Sequence, residues 1–408
     1  PFAHAVRARP WPREATRSGR VAALLSELDR CRERWTLACI LDAAATLGVP
    51  GVDPKASALL DANDALLRET AEHALRLSQP PPAIGADRPS LRSSTLERVR
   101  HLRSVAMFSR LSGARLCDIA ADLSELALPP ERDVVLQGEL GTELYIVCSG
   151  ELRVHRRGRE LRTLSASDVF GEWSSLVPER RAATVTTRTP TVLFRLSGDD
   201  LWKTMEAQPD VAEAVVQHLA SELRGRQGER VLDVELATPG HSVPPRDPGA
   251  PELAHLERVI ALKSFSVFAH SPDEALSALA EHTQKRRLRA GQSLARPDEP
   301  AAEAYVVMHG QLRVSRGSGD ETLVGQGGRI AELAMLHPTA RDAEITAVSD
   351  VLLLVVPQAS TSEVMRAYPS FVSALISVLV QRLRARERSR SAPRASDTTG
   401  STDIAPHA

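Results

Sequence analysis

The sequence predicts an α+β chain that is mainly β: two tandem β-barrel or sandwich domains, each flanked by helices, preceded by an all-α region. Three observations carry this. First, Leu144–Val154 and Ala304–Val314 repeat each other at an offset of 160 residues, and the register holds without a gap from about 95 to 226. Glu97, Leu102 and Ser104 answer Glu257, Leu262 and Ser264; Glu172, Arg181, Pro209 and Arg224 answer Glu332, Arg341, Pro369 and Arg384. A period this long exceeds that of stacked solenoid repeats, so each copy is a domain. Second, short alternating runs recur at about 8–12 residues, the mark of a sandwich or barrel rather than a parallel sheet. Third, apolar residues return to helical spacing after each set of strands, as in Val211, Val215, Leu219 and Leu223.

In order along the chain, residues 1–20 are basic and aperiodic and are expected to be disordered. Val21, Leu24, Leu25 and Leu28 mark one helical face, Trp35 to Ala45 a second helix ending near Gly48, and Asn63 to Leu77 a third. This region, 1–77, is the all-α part. Residues 78–94, with Pro80-Pro81-Pro82, read as a linker. Residues 95–126 are expected to be helical. Strands follow at Asp133–Leu136, Leu144–Val147, Glu151–His155, Arg159–Leu164, Thr184–Thr187 and Thr191–Leu196, then a helix from Leu201 to Arg226. The first repeated domain is thus 95–226. A Pro-rich linker, 227–252, leads to the second domain, 253–388, and a polar tail, 389–408, expected to be disordered.

Composition narrows the function. The 408 residues are 42% hydrophobic and only 3% aromatic, so the cores must rest on Leu, Val and Ala. A formal net charge of −1 implies no global pull toward nucleic acid or membrane. The four cysteines form no CxxC pair and the twelve histidines no HExxH, so no metal site is expected and reduced thiols are the default. No nucleophile–base pair or P-loop stands out, and an enzyme is not expected. No apolar run reaches the roughly 18–20 residues of a membrane span.

One segment carries chemistry: Phe170-Gly171-Glu172-Trp173-Ser174, then Arg181-Ala182-Ala183-Thr184-Val185, with Arg181 ten residues after Gly171. A glycine at a turn into a helix lets backbone N–H groups approach an anion, and an arginine supplies a fork of charged donors suited to phosphate oxygens. Glu172 can accept a hydrogen bond from a hydroxyl, and Ala182 and Ala183 are small enough to leave room. Each residue alone is commonplace; the pattern between two sets of strands is not.

This segment resembles the phosphate-binding cassette of the cyclic-nucleotide-binding domain, the family of the catabolite activator protein and the regulatory subunits of cyclic-AMP-dependent protein kinase. The resemblance covers about 130 residues per copy, Gly150 matching another structural glycine. It implies two tandem jelly-roll barrels and a ligand-binding set of Gly171, Glu172, Trp173, Ser174, Arg181, Ala182 and Ala183. Glu172 would take the ribose 2′-hydroxyl and Arg181 the cyclic phosphate. Where a threonine after the arginine favours guanine, Ala182 leans toward adenine, so cyclic AMP is the favoured ligand. Trp173 and Ser174 depart from the small aliphatic residue and alanine usual there.

The second copy keeps Glu332 and Arg341 but carries Ala331 in place of the glycine, with Asp342 and Glu344 where the first has Ala182 and Thr184. Carboxylates beside an anion site repel the anion and could pair with Arg341, so this second site is expected to be degenerate. Asp64, Arg68 and Ala74-Leu75 in the N-terminal region resemble HEAT-type helical repeats, with a generic helical bundle as the alternative.

The expected function is therefore a cyclic-nucleotide-responsive regulatory protein or module, binding in the first barrel and relaying through flanking helices to a protein effector or an upstream domain. HEAT-like repeats before such domains resemble bacterial proteins in which a nucleotide-transporter-like membrane region comes first. The expected setting is the cytosol, free-standing or as the cytosolic part of a membrane protein. The alternatives are a non-binding scaffold built from two barrels, and a transcription regulator of the catabolite-activator type. The latter is disfavoured, with no nucleic acid expected, because no helix-turn-helix pattern follows either barrel.

Overall fold

In the computed structural model the described residues are 31, 33–46, 48–78, 93–225, 234–236, 253–316 and 321–391. The face at Val21–Leu28, the expected disorder of 1–20, most of both linkers and the tail beyond 391 lie outside them. Two compact units, Pro1–His218 and Leu219–Ala408, make up the chain.

The first unit opens with three helices, α1 (Arg34–Thr46), α2 (Val52–Leu59) and α3 (Ala65–Ser78). Leu41, Ala44, Val52, Ala56, Ala71 and Ala74 form their shared core. Gly48, at φ 62°, turns the chain after α1, its N–H donating to Ala45 and that of Val49 to Ala44. Asp64 caps α3 by accepting from the Leu67 N–H at 3.2 Å. Helix α2 is not anticipated from the sequence, because its buried positions, Val52 and Ala56, are too few to show a period.

Two helices lead into the first barrel, α4 (Thr95–Ser104) and α5 (Gly113–Ala121). Ser94 and Glu97 close a capping box on α4. The helical stretch expected through 126 ends early. Ser124–Leu128 is strand β1, paired antiparallel with Thr191–Arg195, because Leu126 and Leu128 alternate onto the barrel core. The barrel continues with β2 (Asp133–Val135), β3 (Leu140–Gly141), β4 (Glu143–Ser149), β5 (Leu152–Arg156), β6 (Arg159–Leu164) and β7 (Val169–Phe170). Then come the short helix α6 (Glu172–Leu176), β8 (Glu179–Arg180), β9 (Thr184–Thr187) and β10 (Thr191–Ser197). One sheet runs β1-β10-β4-β7 and the other β2-β9-β5-β6, with β3 and β8 paired apart. Tyr145, Val147, Leu152, Val154, Leu164, Val185 and Leu193 fill the space between. Each fully buried Leu or Val there contributes roughly 1.5–3 kcal/mol.

The helix expected from 201 to 226 is two: α7 (Gly198–Ala207) and α8 (Pro209–Arg224). Pro209 forces the preceding Gln208 out of helical geometry, to φ −135° and ψ 87°. The last turn of α8 belongs to the second unit, where Arg386 donates to the carbonyls of Glu222 at 3.3 Å and Leu223 at 2.7 Å.

The second unit repeats the programme. Strand β11 (Val234–Glu235) comes first, then α9 (His255–Lys263) and α10 (Asp273–Glu281). The barrel strands are β12 (Gln284–Leu288), β13 (Ser293–Ala295), β14 (Pro300–Ala301), β15 (Glu303–His309), β16 (Leu312–Ser315), β17 (Glu321–Val324) and β18 (Arg329–Ile330). After a 3-10 turn at Glu332–Met335 follow β19 (Thr339–Ala340), β20 (Glu344–Ala347), β21 (Val351–Pro357), α11 (Gln358–Ala367) and α12 (Pro369–Ser391). Helix α12 therefore continues into the stretch expected to be tail. One sheet gains a fifth strand, in the order β11-β18-β15-β21-β12.

Both barrels are jelly rolls, as expected. Among the described residues no single helix is long and apolar enough to cross a membrane; only the pair α11 and α12, bent by 118°, passes by length and composition. The four cysteines are free thiols, and burial pushes Cys39 up to about 11 and Cys117 and Cys148 up to about 12.

Candidate functional site

Strand β7 delivers the chain to Gly171, which stands at φ 80° and ψ 8° as the residue before α6. Left-handed geometry favours glycine, but space is the sharper constraint here. A methyl group on Gly171 would lie 2.4 Å from the Glu143 carbonyl oxygen and 2.5 Å from Nη1 of Arg181. On the other side, a methyl on Gly141 would lie 2.1 Å from Nε of Arg181. The arginine side chain thus threads a channel between two glycines.

The backbone of Arg181 is fixed by two hydrogen bonds to the turn at 138–139: its N–H donates to Glu139 at 2.8 Å and its carbonyl accepts from Gly138 at 2.9 Å. The guanidinium is buried, yet among the described residues its only protein acceptors are two oxygens of Glu143. Nη2 donates to the backbone carbonyl at 2.9 Å and to the carboxylate at 3.4 Å. The Tyr145 ring lies 5.9 Å from the guanidinium carbon and stacks on Phe170, with centroids 4.9 Å apart. Burial, reinforced by the Glu143 carboxylate, raises the Tyr145 phenol above its ordinary value, so it stays neutral. A buried cation with spare donors, beside a backbone stripped of side chains, is suited to a small anion.

Gly171 and Arg181 are therefore brought together. Glu172, Trp173 and Ser174 are the first residues of α6, each half-buried. Ala182 is exposed, and Ala183 packs on the barrel core. Sequence reasoning missed Gly141, Glu143 and Tyr145. The signal was present: Glu143 and Tyr145 recur as Glu303 and Tyr305 at the same offset, while Gly141 becomes Ala301.

The second cassette is built differently. Ala331 takes φ 61°, where a Cβ is strained, and both glycines beside the arginine are alanines, Ala301 and Ala331. Nη2 of Arg341 donates to the Tyr305 hydroxyl at 2.9 Å and the Glu303 carbonyl at 3.2 Å, and its guanidinium carbon lies 5.1 Å from the ring centroid. Glu332, 2% exposed, faces the helices instead of a pocket. It accepts from the backbone N–H of Ser266 at 3.2 Å and of Val267 at 3.1 Å and pairs with Arg382 at 2.9 Å. Among the described residues, the expected pairing of Arg341 with a neighbouring carboxylate does not form. Asp342 pairs with Arg316 at 3.1 Å, and Glu344 is exposed on β20, because alternation along the strand turns it outward. The cavity left among Val314, Ile330, Ala331, Arg341 and Ala343 is about 20 Å³, room for about one water.

The two barrels match a known domain family by sequence. The profile of the cyclic nucleotide-binding domain matches residues 125–208 and 285–368. A cGMP-dependent protein kinase of Eimeria tenella is 35% identical over 103 residues, 25% of this chain and 10% of the kinase. A CRP-like cAMP-activated global transcriptional regulator of Mycobacterium tuberculosis is 30% identical over 128 residues, 30% of this chain and 57% of the regulator. The chain thus spans a tenth of the first and just over half of the second. The regulatory domain of Toxoplasma gondii PKA, solved with cAMP, is 21% identical over 72% of this chain and 97% of that one, with a TM-score of 0.26. The protein carries two domains of the cyclic nucleotide-binding family.

Proposed function

We propose that this chain is a cyclic-nucleotide-responsive regulatory module in which the first barrel binds one nucleotide of the cyclic AMP type. The observation that carries the reading is Arg181: a buried guanidinium between Gly141 and Gly171 whose hydrogen-bond acceptors among the described residues are two oxygens of Glu143, in a domain of this family. In this reading Arg181 receives the phosphate, the Gly171 backbone lies against it, and Glu172 accepts from the ribose 2′-hydroxyl. Ala182 and Ala183 leave space, and Trp173 and Ser174 border the site.

Relay through the flanking helices is supported by how the N-terminal helices are fastened. A methyl on Gly113 of α5 would overlap the Trp35 ring of α1, so the two helices meet at van der Waals range. Asp42 of α1 pairs with Arg100 of α4, and the Glu69 carboxylate of α3 accepts from the Thr95 N–H at 2.9 Å. A shift of α4 and α5 on ligand binding would carry these helices with it, toward a protein effector or an adjoining domain.

The second barrel reads as a non-binding element, on the strength of the captured Glu332. Calorimetric titration of the full chain with cyclic AMP, cyclic GMP and cyclic dinucleotides tests the function. Saturable binding of a cyclic mononucleotide is expected; no heat with any of them rejects it.

A further inference from the structure

The edge of the cassette differs between the copies. Among the described residues, β7 of the first barrel, the strand entering the cassette, is the last of its sheet. In the second barrel the corresponding β18 is covered by β11, with Val234 opposite Ile330 and Glu235 opposite Arg329. β18 itself pairs with β15 on its other side, so β11 is an added strand and not a replacement.

Three side chains make this cover specific. Val234 packs on the second barrel's core and borders the 20 Å³ cavity together with Ala331, Arg341 and Ala343, so the space beside the cassette is taken up by a valine. Arg329, 4% exposed, donates to the Leu236 carbonyl at 3.4 Å; the first copy has Val169 at this position. Arg224, the last residue of α8, lines the same cavity, so residues on both sides of the stretch between α8 and β11 border it. Meanwhile the acidic residue of this cassette is turned away and held by Ser266, Val267 and Arg382.

We infer that the second barrel has taken the chain's own segment, Val234–Leu236, as an internal ligand at the cassette in place of a nucleotide. An extended segment added to an exposed sheet edge gains main-chain hydrogen bonds, and a side-chain pocket gives it register. The second domain then serves as a dock for the interdomain segment, independent of nucleotide. The inference is separate from binding in the first barrel, and its test needs no nucleotide.

Hydrogen–deuterium exchange on the full chain tests it, comparing residues 329–333 with residues 169–173. Exchange over 329–333 is expected to be slower in the wild type. Replacing Val234, Glu235 and Leu236 by Gly, Ser and Gly is expected to speed it roughly 5- to 30-fold, the effect of losing one or two backbone hydrogen bonds, and to leave 169–173 unchanged. Equal rates in the two cassettes, or no response to the replacement, would overturn the inference. If protection is lost over Val351–Pro357 as well, the second unit has unfolded, and Arg329→Val decides. This variant places the first copy's residue under Leu236; faster exchange over 234–236 supports the dock, and an unchanged rate rejects it.

Discussion

Gly171 and Arg181, ten residues apart in the chain, are packed so that a methyl group on the glycine would stand 2.5 Å from Nη1 of the arginine. The glycine therefore clears space for the arginine before any ligand arrives. Gly158 has the same φ, 80°, with nothing within 4 Å of a methyl. Gly158→Ala isolates the conformational cost, about 1–2 kcal/mol. Gly171→Ala is expected to cost more in urea denaturation and to weaken cyclic AMP at least about tenfold in titration. Equal stability losses in the two variants would show that the close approach carries no energy.

Glu172 and Glu332 hold the same register position and are expected to answer to different tests. Glu172→Ala should weaken cyclic AMP more than its 2′-deoxy analogue, since only the former offers the hydroxyl. Competition binding with both ligands measures this, and equal losses would assign Glu172 another task, such as orienting Arg181.

Glu332→Gln should instead destabilise the second unit. It removes the charge that holds Arg382 and weakens the hydrogen bonds from Ser266 and Val267. The loss is roughly 1.5–3 kcal/mol, toward the lower end because Arg382 is partly exposed. Chemical denaturation should show it while the nucleotide titration stays unchanged. A change in nucleotide affinity with no loss of stability would reverse the assignment.

What the sequence made legible is local or repeated. The spacing from Gly171 to Arg181 lies within one cassette, and the register at 160 residues marks both barrels through Leu144–Val154 and its partner. What stayed hidden is tertiary. Gly141 reaches Arg181 because β3 pairs with β8, and no spacing announces that pairing. Glu332 looks like a retained site residue until Ser266, 66 residues before it, and Arg382 come to meet it. Asp342 and Glu344 suggested a site closed by charge, whereas the Arg316 pair and the strand face remove both carboxylates from Arg341. The space beside Arg341 is instead bordered by Ala331 and Val234, and Ala301 stands where the first copy has Gly141. β11 itself lay inside a Pro-rich linker, too short to show alternation.

The central proposal is that the first cassette binds nucleotide and the second does not. Titration of cyclic AMP into the wild type, Arg181→Ala and Arg341→Ala tests it most directly. One site per chain is expected in the wild type and in Arg341→Ala, with affinity falling about 10- to 100-fold in Arg181→Ala as a charge-assisted hydrogen bond is lost. Two sites of comparable affinity in the wild type, or a single site abolished by Arg341→Ala and untouched by Arg181→Ala, would contradict it.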